Sequence, residues 1–360
     1  MPQVESQPVQ QRLAAWFKAG HRKLPWRATR DPYAIWVSEV MLQQTQVATA
    51  APYFQRFMAR FPTVQALADA PVGHVLKAWE GLGYYSRARD LHRGAGIIAG
   101  RYGGELPRSA QGLRKLPGIG RYTAGAIASI AFGRPEPAVD GNVRRVLCRV
   151  FAIDKDPSRK ATQDQLWALA GRLVPRKNPG LFNQAVMELG ATVCLPRRPR
   201  CAICPLETHC RARRAKRQEQ LPRRKKRRPL PHHDIAVGVI WRRGRILIDL
   251  RPFKGLLGGL WEFPGGKVAP RETLKEALVR EVREELGITV EVVGPLAEVR
   301  GAFSHFRITL HAFQCRFVSG RPEALGCAAW KWVRPDELDQ YPFPKANQKI
   351  IALIREQQDS

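Results

Sequence analysis

Apolar residues recur at three- and four-residue intervals through more than half of the chain. Ile35, Val40, Met41 and Val47 form one such set, and Ala124, Ile127, Ala128 and Ala131 another. That period predicts amphipathic helices over about residues 9–210. Glycines and prolines at Pro62, Pro71, Gly81, Gly83, Gly103, Gly104, Pro107 and Pro117 punctuate them. After Pro231 the period changes to two. Residues 235–241 and 245–250 alternate on either side of Arg243-Gly244, a hairpin signal. Residues 273–286 read as a charged amphipathic helix, 306–318 as a long alternating strand and 328–333 as a shorter one. The tail from Lys345 reads as a helix. An all-α domain over residues 1–210 and an α+β domain over 232–360 follow, with no internal repeat.

Residues 211–231, RARRAKRQEQLPRRKKRRPLP, fit neither period. With almost no apolar content, two positive blocks and three prolines, the stretch cannot bury enough surface to fold alone and reads as an extended basic linker. It would serve equally as a solvated spacer or as a strap along nucleic acid. The imbalance extends to the whole chain: 60 Lys and Arg against 31 Asp and Glu leave a net +29 over 360 residues. A polyanionic partner relieves such self-repulsion, and nucleic acid supplies phosphates for it. A membrane surface fits less well, because the basic residues line no single amphipathic helix. No run of about 18 uncharged apolar residues exists to span a bilayer. The polar N-terminus carries no basic-then-apolar leader, so a cytoplasmic protein is expected, nucleoid-associated in a bacterium. A monomer is expected as well.

Cys194, Cys201, Cys204 and Cys210 share a 17-residue window with the spacing C-x6-C-x2-C-x5-C. Thiolates so close together suit soft-metal ligation. A zinc site would more often show two short Cys-x2-Cys pairs, and only Cys201/Cys204 forms one. A four-thiolate iron–sulfur cluster is the better reading, although spacing alone does not decide it. Two disulfides are the alternative, disfavoured by chain length and the missing leader. Cys148, Cys315 and Cys327 have no evident partners and read as buried thiols.

The string Leu116-Pro-Gly-Ile-Gly-Arg-Tyr-Thr-Ala124 sets a tight turn before a small-residue helix. Gly118 and Gly120 would let the backbone approach a phosphate, with the free N–H groups of the following helix aimed at it. Helix–hairpin–helix elements of this kind anchor DNA without reading its sequence; a plain packing corner is the competing reading. Twenty residues on, Asp140 stands where a new helical run begins, as an N-cap would.

The hairpin, the following Asp and the trailing four-cysteine loop together resemble the endonuclease III superfamily of base-excision enzymes. Three further strings resemble its MutY-type adenine DNA glycosylases: WVSEVMLQQTQ at 36–46, GLGYYSR at 81–87 and LPWR at 24–27. The resemblance implies an all-α helix–hairpin–helix glycosylase domain with a [4Fe–4S] cluster loop. Its six-helix part would span about 30–135, and its cluster part about 1–29 and 136–210. Relatives that also cut the strand carry a Schiff-base lysine where Tyr122 stands, so the resemblance implies a monofunctional glycosylase.

Releasing adenine requires protonating the base and stabilising an oxocarbenium-like sugar, the two-carboxylate logic of glycoside cleavage. Glu39, on an apolar helix that should raise its pKa, is the expected acid. Asp140, expected to stay ionised beside a helix N-terminus, is the expected cation stabiliser. By resemblance Tyr122 and Asn142 position Asp140 and the nucleophile, and Arg27 contacts the extruded adenine. Gln44 and Tyr84 match the pair that fills the vacated stack, with Thr45 and Leu82 beside the orphan base. Tyr85 reads as loop packing. Gly141 departs from the family, where Thr is more usual. The implied substrate is duplex DNA carrying adenine opposite 8-oxoguanine or guanine.

Residues 255–288 contain the Nudix box G-x5-E-x7-R-E-U-x-E-E-x-G-U, matched at every fixed position through Gly266, Glu272, Arg280, Glu281, Glu284, Glu285 and Gly287. Glu281, Glu284 and Glu285 fall on one helical face, and such oxygen ligands suit Mg²⁺. MutY-type enzymes carry a MutT-like C-terminal domain that recognises 8-oxoguanine, with the box usually eroded; here it is intact. Phe303, Ser304 and His305 match the family's lesion-reading loop. The expectation is a reader that also retains metal-dependent hydrolysis of oxidised purine nucleotides. Two alternatives stay open: a DNA-tethered Nudix hydrolase, and a protein that binds the mismatch without cutting it.

Overall fold

The computed structural model describes residues 6–223 and 229–357. Contacts divide the chain into two compact units, Met1–Asp69 with Asp90–Arg227, and Ala70–Arg89 with Arg228–Ser360. In chain order the helices before the sheet are α1 (Ser6–Ala19), α2 (Pro32–Leu42), α3 (Val47–Arg60), α4 (Val64–Asp69), α5 (Val72–Trp79), α6 (Ser86–Tyr102), α7 (Ala110–Leu113), α8 (Arg121–Ile130), α9 (Gly141–Val150), α10 (Lys160–Leu173), α11 (Pro179–Thr192) and α12 (Arg211–Arg214). The helical reading of this part therefore holds.

Helix α2 is central to the first unit. Asp31 caps it, its carboxylate accepting the N–H groups of Tyr33 and Ala34. Every residue from Tyr33 to Met41 is buried, and a helix apolar all round belongs in the middle of a core. A second core gathers α1, α9, α10 and α11 through Leu13, Val143, Leu147, Leu166, Phe182 and Leu189.

One expectation is corrected. Residues 211–223 are not extended: α12 forms, Ala212 and Leu221 are buried, and Asp154 pairs with both Arg217 (2.7 Å) and Arg223 (2.5 Å). The few apolar residues suffice because a finished helical unit supplies the rest of the surface. Residues 224–228 of the expected linker lie outside the described residues. Ala70–Arg89, inside the six-helix part expected over about 30–135, groups by contacts with the second unit. Within that unit the Glu80 carboxylate accepts the Phe343 N–H at 2.7 Å, and Lys77 donates to the Tyr341 carbonyl at 3.0 Å. Arg89 donates to the Gly258 carbonyl. These partners lie far along the chain, where sequence periodicity cannot see them.

The second unit is a mixed sheet of β1 (His232–Arg242), β2 (Arg245–Leu250), β3 (Trp261–Glu262), β4 (Gly265–Lys267), β5 (Thr289–Ala302), β6 (Arg307–Ser319) and β7 (Ala329–Val333), with α13 (Leu274–Leu286) and α14 (Lys345–Glu356). The order is β3-β2-β1-β6-β5, with β4 on β1 and β7 on β2. Only β1 and β6 run parallel among these pairs. Strand β1 is buried on both faces. Val237 and Val239 pack with Ile350, Ile351 and Ile354 of α14, while Ala236 and Ile240 pack with Ala277, Leu278 and Val282 of α13. The α+β class is as expected. Strand β5, which the sequence reading left unassigned, is interrupted by register shifts against β6, and these blur its alternation.

A capping box starts α13: the Thr273 hydroxyl accepts the Glu276 N–H, and the Glu276 carboxylate accepts the Thr273 N–H. Thr273→Ala should lower the stability of the second unit by about 1 kcal/mol, read as a shifted midpoint in denaturant unfolding. An unchanged midpoint would mean that packing alone fixes the helix start.

Candidate active site

Glu39 lies mid-way along α2, 6% exposed. The N-terminus of α8 delivers its partner. Gly120 caps that helix with no side-chain bond, and one residue into it the Tyr122 hydroxyl donates to Glu39 Oε2 at 2.6 Å. Burial pushes Glu39 up to about 7; the Tyr122 hydrogen bond opposes this, the Asp140 charge adds to it, and Arg27 opposes it. Burial, with Glu39 and Asp140, also drives the Tyr122 hydroxyl well above its ordinary range, so it acts as a neutral donor.

Asp140 is the N-cap of α9, accepting the Val143 N–H at 2.6 Å and Asn142 Nδ2 at 2.9 Å. The helix start was expected to hold it ionised. Burial raises its pKa from the ordinary carboxylate value, and the Val143 and Asn142 bonds and the Arg145 charge oppose that. Arg145 continues the network, donating to Asn142 Oδ1 (2.8 Å), the Gly190 carbonyl (2.6 Å) and the Cys194 carbonyl (2.7 Å). Gly190 must be glycine for this approach, since a Cβ there would stand 2.6 Å from that of Asn142.

The sequence reading did not single out Glu188. Its carboxylate, buried on α11, accepts from Arg22 at 2.7 Å and from Arg27 at 2.8 Å. Burial would raise the Glu188 pKa, but those two guanidinium bonds outweigh it and hold the carboxyl at about 2. Arg27 also donates to the Arg22 carbonyl at 2.9 Å. A signal was present: a lone Glu in the apolar run NQAVMELGAT requires a cation, and Arg27 is it.

The cysteines Cys194, Cys201, Cys204 and Cys210 line one cavity together with Arg149. All seven cysteines are free. Burial raises Cys201 and Cys210 and pushes Cys204 up to about 12, with the neighbouring thiols adding to each. The buried Arg149 donates to Cys194 Sγ at 3.2 Å, the Leu195 carbonyl at 2.6 Å and the Leu221 carbonyl at 2.9 Å. Among the described residues no three Cys, His, Asp or Glu side chains form a single-ion site. Four thiols around one pocket, with a guanidinium on one of them, fit a larger thiolate-bound group.

Gly118 takes φ +70° with its α-carbon facing Asp90, which a Cβ would meet at 2.8 Å; at Gly120 the space is open. Gln44 is exposed with φ 59°, and Thr45 beside it is half-buried. In the second unit Tyr84 is exposed with φ 48°, whereas Leu82 is buried and therefore not displayed. Tyr85 is buried too, its hydroxyl accepting the Gly81 N–H, which is the loop packing expected of it. Phe303, Ser304 and His305 form the β5–β6 turn. Phe303 stacks on Phe306 at 4.6 Å, and Ser304 and His305 are exposed, their side chains 3.1 Å apart.

The Nudix-box carboxylates part company. Arg280 binds Glu272 (2.7 Å), Glu281 (2.9 Å) and Glu284 (3.0 Å). Glu285 turns inward, where burial raises it to about 7 and Glu281 adds to that. Of the three carboxylates expected on one helical face as Mg²⁺ ligands, two are bound by a guanidinium and the third is half-buried.

The model of the HhH-GPD superfamily base excision DNA repair proteins matches residues 37–172, and that of the NUDIX domain matches 236–353. The human protein named adenine DNA glycosylase is 40% identical over 96% of this chain and 74% of its own length. The chain belongs to the adenine DNA glycosylase family. The rat protein of that name is 38% identical over 96% of this chain and 77% of its own. A solved structure, a thermostable thymine-DNA glycosylase, aligns with a TM-score of 0.54 at 29% identity, over 58% of this chain and 97% of that one. No described helix is long and apolar enough to cross a membrane.

In this member of the family, removing one partner of the buried Arg27–Glu188 pair should be costly. Glu188→Ala is expected to lower the stability of the first unit by about 3 kcal/mol, seen in chemical denaturation. A loss under about 1 kcal/mol would show that water replaces the carboxylate.

Proposed function

We propose that the chain removes adenine mispaired with 8-oxoguanine or guanine in duplex DNA, as a monofunctional glycosylase in base excision repair. The observation that carries this is the buried Glu39, bonded by Tyr122 and held near neutrality. Glu39 delivers its proton to the extruded adenine, which then leaves as a neutral base. The sugar becomes an oxocarbenium-like cation, and Asp140, fixed by the Val143 N–H and Asn142, stabilises it. Water completes the hydrolysis and leaves an abasic site. Tyr122 has no amine, so no Schiff base forms and the strand stays intact. Arg27, held by Glu188, faces the adenine. Gln44 on its left-handed turn is the first unit's plug for the vacated stack.

Cys194, Cys201, Cys204 and Cys210 would hold a [4Fe–4S] cluster, which stabilises the loop that carries them and does not enter the hydrolysis. Gly118 and Gly120 would take a DNA phosphate. Ser304 and His305, displayed on the β5–β6 turn, would read the 8-oxoguanine.

Glu39→Gln keeps the shape and removes the proton. Single-turnover excision from an adenine:8-oxoguanine duplex should fall by at least a thousandfold, with duplex binding retained. In the wild type the rate should decline as pH rises through about 7, because Glu39 must be protonated to act. Adenine release by the variant at the wild-type rate would remove Glu39 from the mechanism.

The intact box supports a second activity, Mg²⁺-dependent pyrophosphohydrolysis of an oxidised purine nucleotide. Incubation with 8-oxo-dGTP and Mg²⁺ should release pyrophosphate, and Glu284→Gln should abolish the release. Equal signals from the two proteins would leave the box as a scaffold for the reading domain.

A further inference from the structure

Tyr84 stands 43% exposed on a left-handed backbone with φ 48°. Such a conformation persists only where the surroundings fix it, and here they do. The buried Arg87 guanidinium donates to the carbonyls of Leu82 (3.3 Å), Gly83 (3.0 Å) and Tyr84 (3.4 Å). The Trp79 indole N–H adds a second bond to the Gly83 carbonyl, at 3.2 Å. Arg87 also lies 5.5 Å from the centre of the Tyr84 ring, so the ring rests on a cation.

The loop as a body is held from a distant part of the same unit. Lys77 and Glu80, one turn apart at the end of α5, grip residues 341–343 at two points. Glu80 Oε1 accepts the Phe343 N–H at 2.7 Å, and Oε2 accepts Lys77 Nζ at 2.7 Å. Lys77 Nζ also donates to the Tyr341 carbonyl at 3.0 Å. The Phe343 carbonyl accepts the Tyr85 hydroxyl at 3.5 Å, and that hydroxyl accepts the Gly81 N–H. Phe343 is a firm anchor, 1% exposed and stacked on Phe263 in the core against α14. Of the three bonds to residues 341–343, that of Glu80 is the shortest and has a carboxylate acceptor. The Glu80 side chain is largely buried, so water does not readily take its place.

We propose that Glu80 is a positioning residue for Tyr84: its bond to Phe343 locks the loop so that the exposed ring is presented ready to stack on a base of the duplex. This rests on the proposed function, with Tyr84 as the aromatic that enters the stack. Glu80 touches no nucleotide and acts only through the loop it anchors. Without it the Phe343 N–H loses its acceptor and Lys77 loses its carboxylate. The Tyr84 ring then samples more orientations, and the cost of ordering it falls on the binding step.

The test uses the full chain and a duplex with 2-aminopurine placed beside an adenine opposite 8-oxoguanine. Its fluorescence rises when the stack opens, and single-turnover excision is followed in parallel. Glu80→Ala should lose most of the fluorescence rise and slow excision about tenfold, the equivalent of one charge-assisted hydrogen bond. Glu80→Gln, whose amide carbonyl still accepts the Phe343 N–H, should stay within about threefold of the wild type. Added to Tyr84→Ala, Glu80→Ala should bring no further loss beyond about twofold, since both act through one ring. Should Glu80→Ala melt early in circular dichroism, Glu80→Asp decides instead: it keeps the charge, falls one methylene short of Phe343 and should show the same loss. Wild-type behaviour in Glu80→Ala, an equal loss in Glu80→Gln, or a full further loss on the Tyr84→Ala background would each overturn the proposal. So would a wild type that leaves the fluorescence unchanged. A wild type that opens the stack but releases no adenine would instead strike the proposed function, with the fluorescence comparison still deciding the role of Glu80.

Discussion

The first unit is organised around a carboxyl placed on a helix with no solvent face. A charged carboxylate in such a place is unfavourable, so the group favours the form that carries a proton. Its surroundings keep that proton available. Tyr122 offers a hydroxyl that is itself hard to ionise. Arg27, the cation that would drive Glu39 toward its charged form, has much of its charge answered by Glu188. The Arg27 charge that opposes the protonated form of Glu39 is thus shared with a second carboxylate on another helix. Two buried carboxylates in one unit end at opposite extremes because one has guanidinium partners and the other a phenol.

A continuous set of hydrogen bonds runs from the cysteine loop to Asp140. The Cys194 carbonyl accepts from Arg145, Arg145 donates to Asn142, and Asn142 donates to Asp140. Gly190 allows the close approach that makes this possible. The cysteine loop thus helps to fix the position of Asp140. Arg149 extends the same loop's reach in the other direction, to Leu221 at the end of the basic segment.

Much of this was legible in the sequence. Helix α13, its Thr273 cap and the β1–β2 hairpin carried local signals, and the structure matches them within a few residues. Glu39, Tyr122 and Asp140 were visible because motif strings fix their spacing, and they do converge. What escaped was non-local. The membership of Ala70–Arg89 in the second unit depends on bonds to residues beyond 250. Glu188 lay in a string with no motif, and its role exists only through Arg27, far away in sequence. The basic stretch misled for a related reason: Leu221 and Ala212 are too few to form a core, but enough to cover one already built.

Gln44 and Tyr84, both exposed, adopt left-handed backbone conformations that non-glycine residues rarely visit and that cost about 1 kcal/mol or more. That cost is borne by the fold whether or not a ligand is present. Encounter with a partner therefore requires little further ordering at these two positions, and less of the binding free energy is spent on arranging the loops. The strain trades a little resting stability for readiness of these two loops.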